Sequence, residues 1–148
     1  MAIGECVVTL LWREQLSVGN DAIDADHKHL IEIINKVEHC LTMKNRSELA
    51  VALGSLSRYS SVHFIREIAI AKAVGYTQVT DLEHSHTSLL EQLGEMRHEF
   101  DASGPVWSVE AADNFVKFLR DWLIGHVIKE DLLMKPALQK RSPAFTVG

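Results

Sequence analysis

The chain has 148 residues, 47% of them hydrophobic and 24% charged, which is enough to bury one core without disulfides and too apolar for a disordered segment. Its 15 Lys and Arg against 20 Asp and Glu leave a formal charge of -5, so it offers no electrostatic footprint for nucleic acid or an anionic membrane. Cys6 and Cys40 are the only thiols, with no CxxC pair, and point to a reducing cytoplasm.

The opening MAIGECVVTLLW carries Glu5 and no basic stretch, unlike a secretory signal. No apolar run reaches the 18 or more residues of a membrane span. The expectation is one soluble domain over 1–148, with an arm at 1–19, a core at about 20–135 and a loose tail at 136–148.

In chain order the helical period dominates and no alternating strand pattern competes. Asp21 and Asp24 favour the start of a first helix, whose apolar stripe runs His27, Leu30, Ile34, Val37, Leu41. Ser47 with Glu48 predicts the cap of a second helix. Its stripe is Leu56, Tyr59, His63, Glu67, Ile70, Val74, and Gly75 stops it.

Thr80-Asp81-Leu82-Glu83 has the pattern of a capping box for a third helix. A heptad seam follows through Leu82, His86, Leu89, Leu93, Met96 and Phe100, ending near Gly104-Pro105. Ser108 caps a fourth helix whose inner face carries Phe115, Phe118, Trp122 and His126 before Pro136 blocks it. Short connections between long helices force antiparallel neighbours, so the fold class is all-α, an up-down-up-down four-helix bundle with an extended N-terminal arm.

One histidine on an apolar stripe is usually a hydrogen-bonded core residue, but here every helix brings one inward. A metal-free core would have to satisfy all four. His27, His63 with Glu67, His86, and His126 with a carboxylate after it form a mixed imidazole and carboxylate set that suits iron, of the kind bundles use for di-iron centres. His63 and Glu67 lie one turn apart on one face. His126 and Asp131 lie five apart, about 140° around an ideal helix, so periodicity alone favours Glu130. Asp131 reaches the same face if the helix bulges. His29, His39, His84 and His98 fall off the stripes.

Taken together these residues resemble the bacterial hemerythrins. The likeness rests on Leu11-Trp12, Leu16-Ser17-Val18-Gly19, Ile23-Asp24 and Asp26-His27, on His63-Phe64-x-x-Glu67, on Gly75-Tyr76, and on Trp122-Leu123-x-x-His126-Val127-x-x-x-Asp131, over residues 11 to about 135. The resemblance implies two non-haem iron ions joined by an oxo or hydroxo bridge and by Glu67 and Asp131. It implies His27 and His63 on one iron, and His86, His126 and a histidine at position 82 on the other.

Position 82 is Leu, and the family's acidic and methionine residues after Glu67 are replaced by Ile68 and Ala71. Either Leu82 extends the apolar seam and leaves a coordination position open, or Glu83, three residues before His86, supplies a replacement oxygen as in Glu-x-x-His sites. Glu83 is also the residue that would close the capping box.

The resemblance implies reversible binding of O2, or NO, for storage, transport or sensing. The alternative is a di-iron oxidase, peroxidase or NO-reducing enzyme, made possible by the missing histidine. A redox or signalling protein partner is compatible with a sensor. A metal-free structural bundle is the plain alternative to all of these.

Overall fold

The computed structural model describes residues 9–147. The beginning of the expected arm, with Cys6, lies outside the described residues. Four long helical stretches form an antiparallel bundle: α1 (Asp21–Thr42), α2 (Arg46–Ala73), α3 (Val79–Ala102) and α4 (Val109–Arg120). α4 continues without a break into a π-helical segment, Asp121–Ile128, and then the short α5 (Lys129–Leu132) and α6 (Lys135–Leu138). α1 packs on α2 and on α4, and α2 packs on α3. Among the described residues there is no strand.

The ends of the helices show which side chains satisfy the free backbone amides. Asn20 caps α1 by accepting from the Ile23 amide at 3.1 Å, and Ser108 caps α4 as expected, accepting from Ala111 at 3.0 Å. α2 differs from expectation. Its cap is Asn45, which accepts from the Glu48 amide at 3.1 Å, while the Ser47 hydroxyl bonds to Asn45 itself.

The capping box expected at Thr80 does not form. α3 starts two residues earlier, after Gln78 with no side-chain cap, and Thr80 is exposed inside the first turn. α2 ends at Gly75, whose φ of 76° is left-handed, with the Tyr76 amide closing onto Ala71 at 3.0 Å. That 6→1 bond needs a residue with no Cβ penalty at positive φ.

Along each helix a polar residue separates two apolar groups. One group, nearer the tail, holds Ile23, Ile70, Leu82 and Met134; the other, on which Leu10, Trp12 and Leu16 of the arm pack, holds Leu30, Phe64, Leu89, Trp122 and Val127. His27, Glu67, His86 and Asp131 fall between them, and all four are buried. The site is therefore a polar layer across a core closed above and below by hydrocarbon.

The residues flanking the bundle are anchored. Leu10 exchanges two 2.9 Å backbone bonds with the Asn35 side chain. The tail, expected to be loose, packs instead on the start of α1. The Asn20 amide donates to the Phe145 carbonyl at 2.8 Å, the Asp21 amide donates to Pro143 at 2.8 Å, and Leu138 is buried with Ile70 and Leu82. No helix among the described residues is long and apolar enough to cross a membrane.

Candidate metal centre

α1 supplies His27, α2 supplies His63 and Glu67 one turn apart, α3 supplies His86, and α5 supplies Asp131. His27, His63, Glu67 and Asp131 are completely buried, and one donor atom from each lies within 4.8 Å of the others. Glu67 stands at the middle. Its Oε2 is 2.9 Å from His63 Nε2 and 3.6 Å from His27 Nε2, whereas its Oε1 is 2.8 Å from His86 Nε2. Asp131 Oδ2 is 2.8 Å from His27 Nε2.

Three of these four are hydrogen-bond distances, yet none has a hydrogen-bond angle. Both nitrogens of His27 and His86, Nε2 of His63 and all four oxygens of Glu67 and Asp131 are buried with no hydrogen-bond partner. Orphaned buried polar atoms cost about 1–3 kcal/mol each, so nine gathered in one layer call for a shared partner. Imidazole nitrogens and carboxylate oxygens converging in this way are the donors of a transition-metal site.

The charges point the same way. Burial opposes ionisation of Glu67, yet the facing imidazoles of His63, His27 and His86 outweigh it and hold the carboxylate well below its usual range. Burial, and then the negative charge of Glu67, push Asp131 well above its own. Without a cation the two carboxyls cannot both ionise in a dry site. A divalent ion would permit it.

A residue that sequence reasoning left without a role organises the outer side of the cluster. Asp26 is buried, accepts from Tyr59 Oη at 2.8 Å, lies 2.8 Å from His63 Nδ1 and is bonded by Arg66. Although burial alone would raise it, His63, Tyr59 and Arg66 pull its carboxyl down to about 2. An ionised Asp26 holds a proton on His63 Nδ1, so that Nε2 faces inward as the nitrogen a metal would take, a setting typical of ligating histidines. The available signal was Arg66, three residues after His63 on the same flank.

Asp131, not Glu130, enters the cluster, and the reason is the π segment. Wider turns bring inward residues round every five positions, so Trp122 and Val127, then Leu123 and Ile128, are the buried pairs, with Asp131 following. His126 falls between those pairs. The expectation that it lies on the inner face does not hold, because its side chain is 53% exposed and sits 3.8 Å from Glu130. The bulge that admits Asp131 takes His126 out.

Glu83 is exposed as well. It lines a groove of about 550 Å³ between α2 and α3, with Phe64, Ile68, Lys72 and Leu90 among its walls and His86 at its floor. Phe64 stacks on His86 with ring centroids 4.0 Å apart. His29, His39, His84 and His98 are exposed, away from the cluster.

Residues 18–138 match the Hemerythrin HHE cation binding domain. A bacteriohemerythrin of Methylococcus capsulatus is 29% identical over 115 residues, spanning 78% of this chain and 85% of that protein. A hemerythrin-like protein of Naegleria gruberi is 24% identical over 127 residues, spanning 86% of this chain and 92% of its own. The crystal structure of a wild-type hemerythrin superposes with a TM-score of 0.74 at 25% identity, covering 87% of this chain and 97% of that one. With the family pattern running through all four helices that carry the buried donors, the chain belongs to the hemerythrin HHE cation-binding family.

Proposed function

We propose that this protein is a hemerythrin-like non-haem iron protein that reversibly binds O2 or NO, serving storage, transport or sensing in the cytoplasm. The observation that carries this reading is the layer of unpartnered imidazole and carboxylate atoms buried between two apolar groups. Iron bound there supplies an open coordination position and electrons for a diatomic ligand. The resemblance implies two irons, for which Glu67 and Asp131 would be the shared carboxylates.

The chain's own residues do the rest. His27, His63, Glu67 and Asp131 are the donors, and Asp26 holds the His63 ring in place. Leu30, Trp122 and Ile128 keep water and reductant from the buried side. Of the buried imidazole and carboxylate residues, His86 alone lines the α2/α3 groove, which supports that side as the entry for a small ligand.

That same groove favours a second reading, an oxidase, peroxidase or NO-reducing enzyme, because an open side admits reductant as well as ligand. Anaerobic ferrous protein mixed with O2 separates the two. A long-lived adduct that dissociates on degassing is expected for the binding protein; rapid oxidation with repeated consumption of reductant would establish the enzyme.

A further inference from the structure

Resting on the iron-protein reading, we propose that this chain holds one metal ion rather than two, bound by His27, His63, Glu67 and Asp131, with His86 facing its open side. The donors divide unequally about Glu67. On its Oε2 side lie two imidazoles and the second carboxylate; on its Oε1 side lies one imidazole, His86.

The other three candidates for that second side are elsewhere. Leu82, at the position one turn before His86, is packed against Ile70, Ala71 and Met134 in the apolar group and has no donor atom. His126 is turned to solvent beside Glu130 by the π segment. Glu83 is exposed along the groove.

A second ion would therefore keep one imidazole of its own and share carboxylates already engaged by the first. First-row divalent ions gain affinity from nitrogen donors, so the two positions differ steeply in strength. Two histidines with carboxylate oxygen and open positions is a recognised mononuclear iron set. Its open side faces His86, which touches the groove and carries an unpartnered Nδ1. The ligand class that follows is one a single iron can hold, with NO favoured over O2, because no second iron shares the electrons.

The test is anaerobic titration of the full chain with Fe(II), counting bound metal and recording the EPR spectrum after oxidation. One ion per chain and a half-integer-spin ferric signal are expected. Two ions per chain with an EPR-silent, coupled pair would overturn the proposal and leave the iron-protein reading standing. No metal under any condition would overturn both.

His126→Ala should keep the count at one and leave the spectrum unchanged, and His86→Ala should keep the count while altering NO binding. His63→Ala should abolish binding, with circular dichroism confirming the bundle. Loss of the metal in His126→Ala would show that this residue is a ligand and refute the assignment.

Discussion

Asp26 shows how much of a metal site can depend on a residue that does not ligate. Its carboxylate touches His63, Tyr59 and Arg66 at once, so it both orients the imidazole and stays ionised. Asp26→Asn keeps the shape but removes the charge that fixes the His63 tautomer. Metal affinity, measured by competition with a chromophoric chelator, should fall about 10–100-fold. An unchanged affinity would mean that the bundle alone orients His63.

Leu82 makes the complementary case. It is 4% exposed among Ile70, Ala71 and Met134, on the same helical face as His86. Leu82→His should destabilise the metal-free protein by about 1–3 kcal/mol, since a buried imidazole has no partner there. It should also raise the metal count toward two, and a variant still saturating at one ion would show that the position does not face the layer.

At the scale of elements, caps provide a direct comparison between two polar residues on either side of Arg46. Asn45 accepts from the Glu48 amide, and Ser47 bonds only to Asn45. Asn45→Ala should therefore cost about 1 kcal/mol, a usual cap loss, while Ser47→Ala should stay within about 0.5 kcal/mol. Thermal melts of both variants decide it; equal losses would move the cap to Ser47.

The helices and their inner faces were legible in the sequence because burial imposes the 3.6-residue period. The stripe His27, Leu30, Ile34, Val37, Leu41 is buried throughout, and the α3 seam is buried at Leu82, His86, Leu89, Leu93 and Phe100. Boundaries were less legible, since Asn45, Ser47 and Thr80 are all good cap formers and only the backbone path selects among them.

The π segment was the least legible element. Periodicity carries no mark of where a helix widens, and the sequence pattern that pairs His126 with Asp131 does not say which of the two turns inward. Asp26 was hidden for a different reason. A charged residue next to a ligand reads as solvated until Arg66 and Tyr59 are brought in from another helix. The tail read as loose because its charges and prolines conceal the two apolar residues, Leu138 and Phe145, that dock it.

For the whole molecule, the layer of donors couples folding to protons and to metal. In the metal-free protein burial opposes the charge on His63, but Glu67 and Asp26 more than offset it and raise the imidazole from 6.5 to about 9. A histidine whose folded-state pKa is raised stabilises fully below its unfolded pKa, and that contribution disappears as pH rises through the folded value. The metal-free bundle should thus lose stability between pH 6.5 and 9, with a fall in Tm on the order of 5 °C for a chain of this size.

Metal reverses this dependence. It needs the neutral Nε2 of His63, so binding displaces the proton, and affinity rises with pH over the same window. Metal at about 100 times its Kd adds about 2.7 kcal/mol. The gap in Tm between loaded and metal-free protein should therefore widen from pH 6.5 to pH 9, and calorimetry at pH 7 in buffers of different ionisation enthalpy should register proton release on binding. A metal-free Tm that stays level across that window, or binding with no proton released, would show that His63 is already neutral and that Asp26 and Glu67 do not hold a charge on it.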